Sequence, residues 1–559
     1  MAEHRWWIQT GIRAGALMLL LSNMPVRAQG TSGSQGGASE ALYKISGTVV
    51  SSLDGRPLGN ARVSLIEATN RVQAIWMITS ENGRFEFTSI PAGKFSLEGA
   101  RRGFMGAGYQ QHEEFSTAIV TGAGFNTESL VLRLTPWALL GGKVIDESGD
   151  PVRNAQLRLF VESRQSGLNR TQPADYATTD DQGSYEFAEL APGNYYVSVA
   201  ARPWYAVHPS SSYVDGVGNA PPSVERSLDV AYPTTFYNGA TDSDGATPIV
   251  VHGGDRLQAD IHLNPVPALH LFVHVSTDPP RGFRPPFIQQ RVFDSTESVR
   301  VEGMGFVSPG VMEMVGVPAG KYSVNSQVPG PGGHAESSEM NLTKNGQELE
   351  APSSETLGTV KVSVKMARGE PLPRGLNLAL RDSRGITAWF LPIEASGEVT
   401  FENVPAGKYA VLVNSPPPPH TIARISSQGV VSEGHDIDVI AGASMDLSAS
   451  IVTGVVNVEG FAKRGGKPMS GVMVALVPKD PDTHPERVRR DQSDMDGSFT
   501  FRGVLPGSYT LIAVEDAWDF PWMQPGALEK YLQHGQNITI GELMNGAVEL
   551  PDAIEVQPR

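Results

Sequence analysis

Short runs in which apolar and polar residues alternate recur along the chain. Examples are "RFEF" from Arg84, "SYEF" from Ser184 and "SFTF" from Ser498. A period of two places every second side chain on one face of a strand, so each run predicts a half-buried β-strand. Apolar positions at helical spacing are rare, and only residues 526–534 ("GALEKYLQH") predict a short helix. The pattern predicts an all-β protein.

Each alternating run lies between two recurrent turns. Before it comes a short polar turn ending in a glycine, such as "ENG", "DQG" or "MDG", where a positive φ angle is expected. After it comes a turn of the type "PAGKY", in which proline ends one strand and the aromatic residue begins the next inward-facing strand. The glycines of this second turn are separated by 100, 127, 87 and 100 residues, at Gly93, Gly193, Gly320, Gly407 and Gly507.

Each of these intervals suits one seven-stranded sandwich, so the chain is expected to be a tandem array of about five immunoglobulin-like or transthyretin-like β-sandwiches. The second contains a long insertion at residues 202–244, and the third matches the repeat least well because "RGFRPP" replaces its usual turn. The predicted sandwiches span residues 41–135, 136–265, 266–355, 356–450 and 451–559.

The N-terminus has the pattern of a secretory signal peptide, predicted at residues 1–28. Arg5 and Arg13 provide a positively charged start before a short apolar segment at residues 14–21, and "VRA" ending at Ala28 resembles a cleavage site. The apolar segment is shorter than the roughly 20 residues that span a bilayer, although a short anchor is the alternative. Residues 29–40 are rich in glycine and serine and predict a flexible linker. We therefore expect an exported protein, in the periplasm, at the cell surface or outside the cell, with no transmembrane segment after cleavage.

Composition narrows the classes of function. The chain has no cysteine, which excludes disulfides, thiolate metal sites and a cysteine nucleophile. Its formal net charge is −16 at pH 7, which argues against nucleic acid or an anionic membrane as a partner. Stability must then come from the hydrophobic cores of the sandwiches alone.

The repeat "G-x-V…G-x-P-L-x-x-A-x-V…D-x-x-G-x-F-x-F…P-A-G-x-Y-x-L" resembles the bacterial carboxypeptidase regulatory-like domain. The resemblance covers nearly all of residues 41–556. It implies a transthyretin-like sandwich, classed with carbohydrate-binding-like folds, that serves as an accessory to a peptidase or an outer-membrane receptor. Because a fold does not determine function, the resemblance predicts architecture more strongly than activity.

No catalytic residue is predicted. Zinc carboxypeptidases, the usual companions of this domain, bind the metal through an H-x-x-E motif, but none of the twelve histidines is followed three positions later by glutamate. The motifs H-E-x-x-H and G-x-S-x-G are also absent. We therefore expect a protein that is not an enzyme and has no cofactor.

Two residue patterns leave a metal open as an alternative, although none is predicted. His270 and His274 face one side of a predicted strand but lack a third zinc ligand. The acidic runs "DQSDMDG", with Asp491, Asp494 and Asp496, and "TDSDG", with Asp242 and Asp244, lack the glutamate that completes an EF-hand. Hairpin turns use such acid–glycine pairs without any metal.

Aromatic residues cluster in two segments and are the candidate ligand-binding residues. Flat rings with polar edges stack on sugar faces or hold an apolar peptide, and insertions on rigid sandwiches commonly carry binding. The alternative is that these rings fold back and cover a sandwich. The candidates are Trp204, Tyr205, Tyr213 and Tyr237 in the second sandwich, and Trp518, Phe520 and Trp522 in the fifth.

The sequence thus favours a non-catalytic exported binding protein whose sandwich loops contact a carbohydrate or another cell-envelope polymer. A structural spacer, scaffold or adhesin-like surface protein without a small ligand is the alternative. The third interpretation is an accessory subunit of an envelope peptidase or outer-membrane receptor.

Overall fold

The computed structural model describes residues 41–559 with internal gaps, and the predicted signal peptide and linker lie outside the described residues. The internal residues left out are 69–73, 164–169, 215–216, 220–222, 276–286, 328–334, 350–356, 383–386, 417–419, 428–429, 433–435, 454–455, 480, 482–486, 521, 523, 525, 542–543 and 545.

The described part of the chain is all β and forms five tandem sandwiches, as the sequence predicts. Each sandwich has two sheets that enclose its own hydrophobic core. In every sandwich the first strand pairs antiparallel with the strand before the repeated turn and parallel with a late closing strand. The residue boundaries assigned above to the five sandwiches stay a prediction.

The first sandwich has sheets of order β4-β1-β8 and β3-β2-β5-β6, with β7 also pairing with β5. Its strands are β1 (Tyr43–Ser51), β2 (Arg62–Glu67), β3 (Ala74–Ile78), β4 (Arg84–Ile90), β5 (Gly93–Ala100), β6 (Ala107–Gly108), β7 (Ile119–Thr121) and β8 (Leu130–Leu134).

The second sandwich has sheets of order β12-β9-β19 and β11-β10-β13-β17. In addition, β20 pairs with β9 in the first of these sheets, and β18 pairs with β13 in the second. Its insertion adds the small pair β14-β15, the short strand β16 and a 3-10 turn at Ser243–Gly245, and β16 pairs with β21 after the last strands of the sandwich. The strands are β9 (Ala138–Ile145), β10 (Gln156–Ser163), β11 (Arg170–Thr178), β12 (Ser184–Leu190), β13 (Gly193–Ala200), β14 (Ser212–Val214), β15 (Val217–Asn219), β16 (Val230–Ala231), β17 (Thr235–Phe236), β18 (Ile249–Val251), β19 (Arg256–Gln258), β20 (Ile261–His262) and β21 (Val266–Pro267).

The third sandwich keeps the plan despite its divergent sequence, with sheets β25-β26-β22-β29 and β24-β23-β27-β28. Its strands are β22 (Leu269–His274), β23 (Phe287–Val292), β24 (Ser295–Ser298), β25 (Gly303–Ser308), β26 (Val311–Val317), β27 (Gly320–Gln327), β28 (Ala335–Leu342) and β29 (Gln347–Leu349).

The fourth sandwich has sheets β33-β30-β38-β35-β36 and β32-β31-β34-β37. Its strands are β30 (Leu357–Met366), β31 (Asn377–Asp382), β32 (Thr387–Pro392), β33 (Glu398–Pro405), β34 (Gly407–Asn414), β35 (His420–Ser427), β36 (Val430–Ser432), β37 (Asp436–Val439) and β38 (Ser444–Thr453).

The fifth sandwich has sheets β40-β39-β43, to which β46 and β47 add along β39, and β42-β41-β44-β45. The predicted short helix is present as α1 (Glu529–Leu532). The strands are β39 (Val456–Arg464), β40 (Lys467–Pro468), β41 (Met473–Pro478), β42 (Arg489–Gln492), β43 (Ser498–Val504), β44 (Gly507–Val514), β45 (Gln536–Ile540), β46 (Gly546–Glu549) and β47 (Ile554–Glu555).

The polar turn before each alternating strand needs glycine for two reasons. Gly83 and Gly183 have φ angles of 72° and 70°, in the left-handed region that side chains with a Cβ rarely adopt. A Cβ on Gly183 would also lie 2.5 Å from the carbonyl oxygen of Val144. Any other residue would therefore push the turn away from the first strand of the sandwich.

The second repeated turn is closed by the hydroxyl group of its tyrosine. In four sandwiches this hydroxyl donates to the carbonyl oxygen of the residue four positions earlier, at 2.8 to 3.1 Å, which satisfies a polar group that would otherwise be buried. The first sandwich has Phe95 in this place. The donors are Tyr195, Tyr322, Tyr409 and Tyr509, and the acceptors are Ala191, Pro318, Pro405 and Leu505.

Candidate functional site

The insertion of the second sandwich exposes one large ring to solvent. Trp204 is 85% exposed and lies edge-on to Tyr205, with ring centroids 5.7 Å apart and an interplanar angle of 87°. Tyr205 is half-buried. This T-shaped contact is one of the favoured arrangements of aromatic pairs, and most of the Trp204 side chain stays in solvent.

Tyr205 is in turn held by a carboxylate from the turn after β9. The hydroxyl of Tyr205 donates to Glu147 Oε1, and the hydroxyl of Tyr232 donates to Glu147 Oε2 at 2.8 Å. Burial, with the carboxylate of Glu147 beside it, raises the pKa of Tyr205 to about 12. Burial acts to raise the pKa of Glu147 as well, but the hydrogen bond from Tyr205 and further hydrogen bonds outweigh it and lower that pKa. The two hydroxyls therefore stay protonated donors to an ionised acceptor, which fixes the loop.

The other two candidates of this insertion have different places. Tyr237 is half-buried against the core of the second sandwich, and its backbone N–H donates to the carbonyl oxygen of Val197. Tyr213 lies on β14, and its side chain is outside the described part of the chain. The structure therefore brings Trp204 and Tyr205 together and separates Tyr237 from them as a packing residue.

The rest of the insertion is anchored on the third sandwich by a buried network of two acids and two histidines. His208 Nδ1 lies 3.0 Å from Asp229 Oδ1, and His270 Nε2 lies 2.9 Å from Asp229 Oδ2. His270 Nδ1 lies 3.0 Å from Glu313 Oε1, whose other oxygen accepts the backbone N–H of Ser211 at 2.7 Å. We call these four side chains, His208, Asp229, His270 and Glu313, the carboxylate–histidine network.

In this network each carboxylate is paired with an imidazole, and His270 lies between the two acids. The side chain of Glu313 is only 4% exposed. Because a buried carboxylate is costly unless it is paired, the network locks the insertion to the third sandwich.

An apolar cluster also lies between the second and third sandwiches. Phe293, from the hairpin between β23 and β24, packs on Phe160, Tyr196 and Phe236 of the second sandwich, with ring centroids 4.7 to 5.6 Å apart. Its neighbour Asp294 accepts the backbone N–H of Thr171 at 2.7 Å. The insertion and the hairpin together join the second and third sandwiches.

The aromatic residues of the fifth sandwich cover its outer sheet. Trp522 is 6% exposed and packs with Leu528 and Tyr531 on the outward side chains of β41 and β44. All six residues of β41 are buried, because its inner face lies in the sandwich core and its outer face lies under this segment. For Trp522 the structure favours the alternative interpretation, in which the ring covers a sandwich.

The other two rings of this segment lie between sandwiches or against its helix. Trp518 stacks on His112 of the first sandwich, with ring centroids 5.0 Å apart and an interplanar angle of 6°, and donates from Nε1 to the carbonyl oxygen of Gly471 at 3.1 Å. Phe520 packs edge-on against Tyr531 at 5.8 Å. A ligand role for any of the seven candidate rings stays a prediction.

The acidic run of the fifth sandwich also contacts the first sandwich. Lys94 Nζ lies 3.2 Å from Asp494 Oδ2 and 3.3 Å from Asp496 Oδ2, and Asp494 Oδ1 accepts the backbone N–H of Ala118 at 2.8 Å. Burial raises the pKa of Asp494, while the Ser498 hydroxyl and backbone outweigh burial and lower the pKa of Asp496. These carboxylates therefore bind a lysine and a backbone N–H of the first sandwich.

Arg490 completes this interface between the first and fifth sandwiches. Its side chain is 3% exposed and forms an ion pair of 2.5 Å with Glu113. The guanidinium lies 4.3 Å from the centre of the Trp522 ring and 5.5 Å from that of Phe115, within the range of cation–π attraction. Gln492 adds hydrogen bonds to the Gln110 carbonyl oxygen and the Thr117 hydroxyl, both at 2.7 Å.

The alternatives that involve metals find little support in this geometry. In the second acidic run, Asp242 Oδ1 accepts the backbone N–H of Asp244 and so caps the 3-10 turn. His274 lies 3.3 Å from Glu348, while His270 belongs to the carboxylate–histidine network. Within the described residues no group of three or more histidines and acids is arranged to hold a metal ion. The part of the chain that the structure describes also has no helix of sufficient length and hydrophobicity to cross a bilayer.

Sequence reasoning missed several residues that matter in the structure. His208, Asp229 and Glu313 have no shared motif and meet only because the insertion folds over β26. Three exposed rings on edge strands, Trp76, Tyr176 and Phe390, were also missed. Their outward positions in the period-two alternation were the available signal.

The fold defines the class of this chain as a tandem β-sandwich protein. Residues 44–123 and 140–214 match the model of the carboxypeptidase regulatory-like domain, which confirms the predicted resemblance for the first two sandwiches. Residues 451–525 match the second β-sandwich domain of the NOMO1-like subunit of the BOS complex. Comparison with curated protein sequences gives no match.

Solved structures that match parts of this chain include two pilins and one further bacterial protein. A streptococcal ancillary pilin is 13% identical over 50% of this chain and 98% of its own, with a TM-score of 0.18. A minor pilin of Streptococcus agalactiae is 12% identical over 40% and 97%, with a TM-score of 0.21. A Pseudomonas aeruginosa protein, provisionally named carbohydrate-binding, is 14% identical over 23% and 89%, with a TM-score of 0.12. At TM-scores this low the likenesses carry no weight for function.

Proposed function

We propose that this chain is a non-catalytic, exported binding protein that holds a carbohydrate or a related cell-envelope polymer on its sandwiches. The observation that carries the proposal is Trp204, a large ring 85% exposed on a loop that is otherwise fixed. Tryptophan is enriched at interfaces, where its large ring contributes much of the contact area. The leader-like residues 1–28 support export.

The loop around Trp204 is held in one conformation before any ligand arrives. Tyr205 is hydrogen-bonded to Glu147, and Arg202 lies 3.1 Å from Glu302 of the third sandwich while donating to the carbonyl oxygen of Ala206. A ligand that stacks on Trp204 therefore orders few further groups, which reduces the entropy cost of binding. The face of a pyranose ring, with its C–H groups, suits such a flat apolar surface.

Removal of the ring tests this proposal directly. Retardation of the purified protein in native gels that contain xylan, β-glucan or a soluble cellulose derivative is measured for the wild type, Trp204→Ala and the control Phe461→Ala. Phe461 is an exposed ring of the fifth sandwich, outside this surface. We expect Trp204→Ala to lose most of the retardation without a lower melting temperature, and Phe461→Ala to keep it. An unchanged Trp204→Ala variant, or a wild type retarded by none of the polysaccharides, would reject the proposal.

A scaffold without a ligand is the second candidate, and the interfaces favour it. Ion pairs and rings join the first sandwich to the fifth, and the carboxylate–histidine network joins the second to the third. A chain built only to hold its own modules in place would need these contacts and no exposed ring. Binding to no glycan, together with an unchanged scattering profile across ionic strengths, would favour the scaffold.

A further inference from the structure

Three sandwiches present an aromatic residue at the same position of an edge strand. In the strand pairing, Trp76 lies opposite Ser64, Tyr176 opposite Arg158 and Phe390 opposite Ala379. Ser64, Arg158 and Ala379 lie on the strand next to the edge strand. On its other side, each pairs with the residue five positions after the glycine of the repeated turn. The three positions are therefore equivalent in register, and their rings are 63%, 77% and 52% exposed.

Exposed large rings on edge strands are unusual, because such strands invite aggregation and are normally protected by charges or bulges. The fifth sandwich shows what the position does when it is covered. There the equivalent residue is Arg490, opposite Ala475, and its side chain is packed between Glu113 and Phe115 of the first sandwich and Trp522 of its own. In the fifth sandwich this edge-strand position is therefore covered by side chains of another sandwich and of its own.

The outer sheet face of the first sandwich carries a groove beside its ring. The groove encloses about 330 Å³ and is lined by polar side chains that include Arg62, Ser64, Glu98, Gln111 and Glu114. Ser64 is directly opposite Trp76. The corresponding face of the second sandwich is bridged to the third by the ion pair of Arg158 and Glu297 at 2.8 Å, whereas Arg62 and Glu98 remain exposed to solvent.

We propose that Trp76 and this groove form a second binding surface, which takes a neutral oligosaccharide chain. The ring would stack on one sugar, and Arg62, Glu98, Gln111 and Glu114 would bond to hydroxyl groups of the next. The proposal rests on the proposed function, since it assigns a further surface to the same class of ligand. Tyr176 and Phe390 would repeat the contact along a polymer, which raises avidity without new contacts at any one site.

Charge favours a neutral glycan over the two other occupants considered, a second copy of this chain and an acidic polymer. The net charge of −16 makes a second copy of this chain repel the first, and it equally disfavours an acidic polymer. Three charged side chains, those of Arg62, Glu98 and Glu114, also line the groove, whereas the centre of a stable protein interface is depleted of charged residues. A neutral sugar polymer meets neither obstacle.

Oxidative footprinting of the full chain tests this surface. Modification of the peptides that contain Trp76 and Trp204 is followed by mass spectrometry with and without the polysaccharides used above, at two protein concentrations. We expect polysaccharide to protect both tryptophans and to leave Phe461 unchanged. Trp76→Ala should weaken gel retardation by about three- to tenfold, and Trp76→Ala with Trp204→Ala by more than either alone.

The outcomes separate this inference from the proposed function. Protection of Trp204 alone, with normal retardation of Trp76→Ala, overturns the second surface and leaves the proposed function intact. Protection of neither ring overturns both. Protection of Trp76 that increases with protein concentration and needs no polysaccharide identifies a second copy as the occupant and also overturns the inference.

Discussion

Two segments of this chain look alike in sequence and differ in structure. Residues 202–244 and residues 515–535 are both rich in aromatic side chains and both lie outside the main sandwich repeat. The first leaves Trp204 in solvent and anchors its remaining length through buried acids and histidines. The second buries Trp522 on the outer face of its own sheet. The comparison teaches that a segment rich in aromatic residues contacts another surface. Whether its rings are buried within the chain or left exposed for a ligand depends on whether an apolar sheet face lies opposite them.

The largest expected effect is in the buried segment. Trp522→Ala would remove a ring that packs on β41, β44 and Arg490, and should destabilise the fifth sandwich by about 3–5 kcal/mol. Trp204→Ala should stay within about 0.5 kcal/mol of the wild type, since its ring is exposed. Urea unfolding followed by fluorescence measures both. Equal losses for the two variants would remove the distinction between the segments.

The next effect lies in the anchored part of the first segment. His270→Ala would leave the carboxylates of Asp229 and Glu313 buried without their shared donor, at a cost of about 3 kcal/mol. Hydrogen exchange should accelerate in the described parts of residues 202–231. His274→Ala, on the same strand but half-exposed beside Glu348, is the matched control and should change little. Unchanged exchange in His270→Ala would show that the network does not hold the insertion.

A pH effect should mark the acidic run of the fifth sandwich. Burial raises the pKa of Asp491 from 3.8 to about 6, so the folded state binds this proton more tightly than the unfolded state. The resulting stabilisation is complete below pH 3.8 and is lost as the pH rises through about 6. Asp491→Asn keeps an acceptor for the Thr500 N–H and should be about 1–3 kcal/mol more stable than the wild type at pH 7.

Melting temperatures of Asp491→Asn and the wild type, measured from pH 4 to pH 8, test the sign. The advantage of the variant should disappear near pH 4. Asp519→Asn provides a control carboxylate in the same sandwich that is largely exposed. An advantage that grows as the pH falls would contradict the assignment.

The smallest effect concerns the support of the exposed ring. Tyr205→Phe removes one hydrogen bond to Glu147, which keeps its bond from Tyr232, so stability should fall by only about 1 kcal/mol. Glycan retardation should nevertheless weaken, because the loop under Trp204 loses its tether. Tyr176→Phe, an exposed tyrosine on an edge strand, should leave the melting temperature unchanged. Full retardation by Tyr205→Phe would separate the loop from binding.

Local patterns in the sequence were sufficient for the fold. The alternation around Phe85 and Phe87, the glycine at Gly83 and the tyrosine turn at Tyr409 all act within one sandwich, over distances that a sequence motif spans. Even the divergent third sandwich follows, because β22 and β26 retain inward apolar positions. The periodic signal therefore predicts the modules well.

The contacts between sandwiches could not be predicted in the same way. Lys94 and Asp494 are 400 positions apart, and nothing near either residue indicates the other. Glu313 looks like an outward polar residue of β26 and is buried only because the insertion of the preceding sandwich covers it. Burial of Trp522 likewise depends on a sheet face whose outward residues, Met473 and Val477, are apolar. Such pairings arise from packing of whole modules and leave no short motif.

The central claim is that side-chain contacts join the first sandwich to the fifth within one chain. A zero-length cross-link tests this claim most directly. A carbodiimide joins an amine to a carboxylate only at contact, so mass spectrometry should find Lys94 linked to Asp494 or Asp496, at a yield independent of protein concentration. The pair Lys44 and Glu86, 2.8 Å apart within the first sandwich, is the internal standard. Formation of the Lys44 link without any Lys94 link to the fifth sandwich would contradict the account.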